Sequence, residues 1–327
     1  MKSGFAKWLL GMVLCGLAAL ASAAEFQEQA VTLDTGTGTL FGSLLLPAMQ
    51  GKVPVALIIA GSGPTDRNGN NRLIPGSNDS LKMLAQTLAG DGVASLRYDK
   101  RGIAASAAAM GKESDLRFDM YVNDAAAWVE KLRADPRFGQ IVVIGHSEGS
   151  LIGMLAAQKT KPAAYVSLAG AGDSAPVVLR KQLAGKLPPA LASENERILT
   201  SLEHGQSTDA VPPELARLYH QGVQPYLVSW FRYSPAQTVK SLDMPVLIVQ
   251  GDTDIQVGVD QAQALKAAKP DATLAIIPGM NHVLKMVAAD SKMPLASYGD
   301  PTLPLAPQLL TTLKDFLVSA HIIAPAR

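Results

Sequence analysis

The sequence predicts an α/β fold: a mostly parallel sheet with helices on both faces and an inserted helical cap. Three observations predict it. Apolar runs of strand length alternate with helical patterns along most of the chain, and such alternation implies a parallel sheet covered on both sides. The branched run Ile141-Val142-Val143-Ile144 passes through Gly145-His146-Ser147-Glu148-Gly149 directly into the amphipathic stretch 151–156. Residues 173–240 then break the alternation with helical stretches separated by proline and glycine.

The chain opens with Lys2 and Lys7, an apolar run from Trp8 to Leu20, and the small-residue site Ala21-Ser22-Ala23 before the first acid, Glu25. This is the pattern of a secretory signal peptide over residues 1–23, so the mature protein is expected to be exported, periplasmic or secreted, without stable membrane association. A membrane anchor would need about 20 apolar residues and no such cleavage site. The single cysteine, Cys15, falls within the leader and follows Leu14, where lipid attachment calls for a small residue. The mature chain is thus expected to have neither disulfide nor thiol nucleophile. Removing the two leader lysines takes the formal charge from +1 to about −1. Such near-neutrality gives no electrostatic case for nucleic acid or anionic membrane as a partner. With 48% apolar residues the chain can bury one large core and carry an insertion.

Residues 27–33 and 39–46 read as a hairpin turning at Thr35-Gly36-Thr37-Gly38 and stopped by Pro47. Strand patterns follow at 53–60, 94–98, 141–144, 164–168, 246–250 and 273–277. Helical patterns cover 80–89, 116–134, the stretch after the pentapeptide, 259–268 and 307–320. The core is therefore expected over 24–172 and 241–327. Residues 173–240, with helical stretches at 175–186, 190–204 and 213–230, are expected to cap the carboxyl ends of the strands, since a loop of this length without a role is uncommon.

The pentapeptide is G-x-S-x-G at a strand-to-helix junction, the setting of a nucleophile elbow. So tight a turn admits only small neighbours. It leaves Ser147 Oγ exposed above the sheet and aims the backbone N–H of Glu148 at the oxygen of an attacked carbonyl. A serine hydroxyl is a weak nucleophile unless a base takes its proton and a carboxylate holds that base. Of five histidines, His146 lies inside the turn and points away from Ser147, His204 and His220 fall in the cap, and His321 ends the last helix. That leaves His282, in a loop directly after the strand at 273–277. The carboxylate is sought at a strand end between Ser147 and His282, where Gly251-Asp252-Thr253-Asp254 follows 246–250. Asp254 is taken as the acid, and Asp252 as a cap of the turn through its own backbone. The second oxyanion donor is expected in the loop after the first parallel strand, Ala60-Gly61-Ser62-Gly63-Pro64, as the N–H of Ser62. A phosphate-binding reading of that loop fails, because no lysine follows at the required spacing and no helix starts at once.

The order Ser147, Asp254, His282 is that of the α/β-hydrolases, and the chain resembles this superfamily over essentially its whole mature length. The strings Gly61-Ser62-Gly63-Pro64-Thr65-Asp66-Arg67-Asn68-Gly69-Asn70, Asn78-Asp79-Ser80-Leu81, Leu96-Arg97-Tyr98-Asp99-Lys100-Arg101-Gly102 and Asn281-His282-Val283-Leu284-Lys285 are similar to those of bacterial carboxylesterases of the serine aminopeptidase-like or dienelactone-hydrolase-like group. One departure is Ala104-Ala105 after Gly102-Ile103, where that group tends to have a glycine. The resemblance implies hydrolysis of a small-molecule ester through an acyl-enzyme on Ser147, with no metal and no organic cofactor. It also implies that Asp66, Arg67 and Asn68 line the mouth of the site, while Asp99 and Arg101 brace loops by a salt bridge. Trp230, with Tyr226, Leu227 and Phe231, forms the strongest apolar cluster of the cap and is expected to cover a small acyl pocket, which points to short acyl chains. Two rivals are an aminopeptidase, which would need an acidic pair such as Glu194 with Glu196 to hold a substrate ammonium, and a non-catalytic binder on the same fold. Intact Ser147, Asp254 and His282 argue against the binder.

Overall fold

The computed structural model describes residues 26–287 and 295–325. The signal-peptide reading of residues 1–23 lies outside them. Strands β1 (Gln27–Asp34) and β2 (Thr39–Leu46) form an antiparallel hairpin. They are followed by β3 (Val53–Ile59), α1 (Ser80–Gly90), β4 (Ala94–Tyr98), α2 (Phe118–Ala134), β5 (Phe138–His146), α3 (Glu148–Thr160) and β6 (Ala164–Leu168). Helices α4 (Ala175–Leu183), α5 (Pro189–Glu203), α6 (Ala216–Tyr219), α7 (Gln224–Phe231) and α8 (Pro235–Lys240) intervene before β7 (Val246–Gly251), α9 (Val259–Ala268), β8 (Thr273–Ile277) and α10 (Pro307–Ser319). The sheet runs β1-β2-β4-β3-β5-β6-β7-β8. Pairs β1/β2 and β2/β4 are antiparallel, and the rest are parallel.

Side chains of a strand alternate between the two faces of its sheet, and β3 shows the consequence. Val55, Leu57 and Ile59 join one buried cluster, where Phe118, Val122 and Trp128 of α2 and Ile152 of α3 cover the sheet. Ala56 and Ile58 join the other, covered by Leu81 and Leu84 of α1 and Leu309 and Leu313 of α10. Because both faces are sealed, β6 and β7 are buried at every residue and are mostly apolar without alternation. At the edge, β1 alternates between exposed and half-buried.

The expected helix at 213–230 is divided. A 3₁₀ turn at Pro213–Leu215 leads into α6, and His220 then leaves the helical region at φ −56°, ψ 153°. Pro225, lacking an N–H, is tolerated only in the first turn of a helix, so α7 begins at Gln224. Helix α8, which the sequence pattern did not single out, starts at Ser234-Pro235 in the same way. Strand β5 starts at Phe138, ahead of 141, because Phe138 pairs with Val53.

The loop after β4 is held by charge. Asp99 accepts the backbone N–H groups of Arg67 and Ala105 and the Arg67 guanidinium, whereas Arg101 pairs with buried Asp124 of α2 and donates to Ala109 O at 2.7 Å. Asp99 and Arg101 thus brace loops through separate partners and not through each other. Within this loop Ala104 sits at φ 44°, the left-handed region that costs a non-glycine residue about 1–2 kcal/mol. Ala104 belongs to the Ala104-Ala105 departure noted in the sequence. Ala104→Gly should relieve that strain, less the greater freedom of glycine in the unfolded chain, and stabilise the fold by about 0.5–1 kcal/mol. Urea unfolding should show a raised midpoint at unchanged slope; an equal or lower midpoint would mean that Ala104 carries no strain.

Candidate active site

The carboxyl ends of β3, β5, β7 and β8 deliver four loops to one end of the sheet. Ser147 stands between β5 and α3 at φ 55°, ψ −121°. A methyl group on Gly145 would lie 2.2 Å from the Gly149 carbonyl oxygen, and one on Gly149 would lie 2.3 Å from that of Ile59. No side chain fits at either position, which is why the serine is flanked by glycines at i−2 and i+2. From β3, Gly61 packs so close that an added Cβ would be 3.2 Å from Ser147 Cβ. The next residue, Ser62, is fixed by the Thr65 hydroxyl, which donates to Ser62 O at 2.8 Å.

His282 and Asp254 meet across the loops after β8 and β7, with Nδ1 and Oδ2 2.8 Å apart and both side chains almost fully buried. Burial acts to raise the Asp254 carboxyl. The adjacent imidazole and bonds from His282 and the N–H groups of Val257 and Gln256 outweigh it, holding the group below the usual carboxylate range. A carboxylate only accepts, so Nδ1 carries the ring proton and Nε2 is left as the basic nitrogen. Asp252 acts differently from the sequence expectation. Its Oδ1 accepts the Gly279 N–H at 2.7 Å, tying the loop after β7 to the loop that bears His282 instead of capping its own turn.

Ser62, Ser147 and Glu148 line a cavity of about 390 Å³, roofed by Tyr226, Leu227 and Trp230 of α7 with Val178 and Leu218 from neighbouring turns. Trp230 stacks on Phe118, ring centroids 5.7 Å apart and planes 3° from parallel. Asp66, Arg67 and Asn68 are not among the cavity's lining residues, contrary to the expectation for them. Their side chains hold the loop instead: Asp66 accepts the N–H groups of Asn68 and Asn70, Arg67 pairs with Asp99, and Asn68 accepts from Arg97. Glu194 and Glu196 are likewise engaged, with Arg197 and Arg180, and form no acidic pair over the cavity. Among the described residues no group of three or more His, Cys, Asp or Glu side chains could hold a metal ion.

Three side chains at the site escape sequence reasoning. Lys100, in the loop after β4, forms a buried ion pair with Glu148, and the Tyr226 hydroxyl donates to the same carboxylate. Burial and the Glu148 charge keep that phenol far above its ordinary pKa, so it stays a donor. The one available clue was a carboxylate inside the elbow itself, which once buried calls for hydrogen-bonding or charged partners. His146 is the third: its Nε2 donates to the backbone carbonyl of His282 at 2.7 Å, with the two rings 5.0 Å apart. It props the neighbouring loop from beneath.

Burial, then repulsion from His282, pushes His146 down from 6.5 to about 4. The unfolded chain therefore binds this proton more readily, and stability contributed by neutral His146 is present above about pH 6.5 and lost as pH falls towards 4. At about 1.4 kcal/mol per decade the loss amounts to about 3 kcal/mol. His146→Gln keeps a donor in place of Nε2 but does not titrate. Between pH 7 and 4 its unfolding free energy should therefore gain about 3 kcal/mol relative to the parent protein; a difference that stays constant with pH would show that His146 titrates normally.

A family model described as serine aminopeptidase, S33, matches residues 77–286, a span that includes Ser147, Asp254 and His282. Esterase EstD of Thermotoga maritima is 25% identical over 279 residues, 84% of this chain but only 63% of EstD, so the chain spans less than two thirds of that relative. Among solved structures, Est1E from Butyrivibrio proteoclasticus superposes with a TM-score of 0.58 at 22% identity, over 89% of this chain and 98% of its own. The Pyrococcus furiosus esterase Pf2001 gives 0.56 at 16% identity, over 90% and 91%. Those two likenesses establish the fold, and the family match goes further: the chain belongs to the serine aminopeptidase S33 family of α/β-hydrolases.

Proposed function

We propose that this protein is a serine esterase that cleaves carboxylic esters of short acyl chains through an acyl-enzyme. The observation that carries the reading is the 2.8 Å bond between His282 Nδ1 and Asp254 Oδ2, made beside an elbow whose serine is held in a strained conformation facing a cavity. Ser147 Oγ attacks the ester carbonyl as its proton passes to His282 Nε2, and Asp254 stabilises the resulting imidazolium. The tetrahedral oxyanion takes the N–H groups of Ser62 and Glu148. Collapse expels the alcohol, which receives the proton from His282, and water repeats the sequence to release the acid. The relatives named esterases support this chemistry over the amide cleavage in the family's description, and so does the engagement of Glu194 and Glu196 by arginines.

Acyl size follows from the cavity. A volume of about 390 Å³ must hold both the acyl and the alcohol side, and it is near the lower bound of about 300 Å³ for small-molecule sites. Each methylene adds about 0.8 kcal/mol only when it is taken out of water, so a fatty chain protruding past Trp230 gains nothing from its outer carbons. Catalytic efficiency on p-nitrophenyl esters should be greatest between acetyl and butyryl, with a fluorophosphonate labelling Ser147 stoichiometrically. A maximum at fatty chains, faster cleavage of aminoacyl arylamides, or activity surviving in Ser147→Ala would each overturn the proposal.

The two aspartates separate in their effects. Asp254→Asn would present an amide to His282 Nδ1 and favour the wrong tautomer, lowering turnover by about 10,000-fold. Asp252→Asn keeps an oxygen for the Gly279 N–H, so steady-state kinetics should find turnover within a few-fold of the parent. The reverse pattern would assign the acid to Asp252.

A further inference from the structure

The buried ion pair behind the elbow is not accounted for by Ser147, His282 and Asp254. Lys100 Nζ donates to the Gly61 carbonyl oxygen at 2.7 Å and pairs with the Glu148 carboxylate, and the two side chains are 1% and 3% exposed. It also lies 4.9 Å from the ring centre of Tyr121, so its head group is enclosed. Taking two charges out of water costs several kcal/mol per ion, and apolar residues of similar volume are often as stable or more so. Stability alone therefore does not explain the pair.

Its partners do. The C=O of Gly61 and the N–H of Ser62 belong to one planar trans peptide, so fixing the oxygen fixes the direction of the N–H on the opposite edge. A cation on that oxygen also polarises the peptide and strengthens its N–H as a donor. The other end of the ion pair is the side chain of Glu148, whose own N–H opens α3 next to Ser147. Tyr226 completes the arrangement by donating to the same carboxylate from α7. One ion pair thus joins the peptide that carries one oxyanion donor to the residue that carries the other.

We propose that Lys100 is a positioning residue that, through Gly61 O and the Glu148 carboxylate, holds the N–H groups of Ser62 and Glu148 convergent on the oxyanion. This rests on the esterase reading of Ser147. An apolar pair at these positions could fill the space but would leave the Gly61–Ser62 peptide free to rotate. The effect belongs to the tetrahedral state, where negative charge develops, and not to binding of the neutral ester.

The test uses the full chain with Lys100→Met and the double variant Lys100→Met with Glu148→Gln, which leaves no unpaired buried charge. Labelling Ser147 to completion with a fluorophosphonate counts folded sites, so rates are expressed per site whatever the yield. Both variants should lose about 100-fold in kcat with KM within a few-fold of the parent, because an oxyanion donor is misplaced. Affinity for a trifluoromethyl ketone, which forms a tetrahedral oxyanion on the serine, should fall by the same factor. Parental kcat per labelled site in the double variant, or a kcat loss with unchanged ketone affinity, would overturn the role of Lys100. Failure of the parent protein to label at Ser147 would instead overturn the esterase reading beneath it.

Discussion

A methyl group at Gly149 would stand 2.3 Å from the Ile59 carbonyl oxygen, and this lack of room at the start of α3 governs the site. With the helix pressed onto β3 and β5, Ser147 must turn the chain in one step and takes φ 55°, ψ −121° to do so. A residue in such a conformation costs on the order of 1–3 kcal/mol and persists only where its surroundings over-determine it. Here they do. Helix α3 buries eleven of its thirteen residues, Ser147 N–H bonds to Leu168 O on β6, and Ser150 Oγ bonds both Tyr165 OH and Ser167 Oγ at 2.8 Å. The strain is thus balanced by apolar burial, and the loops after β3, β7 and β8 are built around a point that does not move.

That dependence explains what could be read from sequence. Continuous runs such as Ile141-Val142-Val143-Ile144 register only because both faces of the sheet are sealed, and the glycines around Ser147 register because the contact tolerates nothing larger. Strands 94–98 and 164–168, buried at every residue, match their expected bounds for the same reason, while 273–277 and the helix at 259–268 match theirs although their burial is only partial. Around α6 and α7 the expected single helix is divided by local backbone chemistry: His220 leaves the helical region and Pro225 is confined to the first turn of a new helix.

Polar partners were the harder part, because a hydrogen bond between distant loops leaves no periodicity behind. Asp252 and Asp254 look alike in sequence, yet one bonds Gly279 N–H and the other His282 Nδ1. Lys100 reads as one cation in a charged tripeptide, and nothing nearby says that its partner is Glu148, 48 residues on. His146, beside the nucleophile, reads as turned away from the chemistry; it is turned away from Ser147 and towards the loop that carries His282.

The same distinction separates the frame of this site from its selectivity. The strings that carry the resemblance to bacterial carboxylesterases, from Gly61 to Asn70, from Asn78 to Leu81 and from Leu96 to Gly102, fall largely in loops. Their side chains supply the missing bonds: Asp66 to Asn68 and Asn70, the Asn70 oxygen to the N–H groups of Asn78 and Asp79, Asp99 to Arg67, Arg101 to Asp124. Apart from Ser62, Gly63 and Pro64, however, the cavity lining comes from other segments, notably α4 and the residues from Arg217 to Trp230, which lie outside those strings. Resemblance in this chain therefore follows the bonds that hold the loops, and these constrain the reaction that the elbow can support. The cavity is lined mainly by helices whose apolar faces take no part in those bonds, so its shape can vary residue by residue without disturbing them.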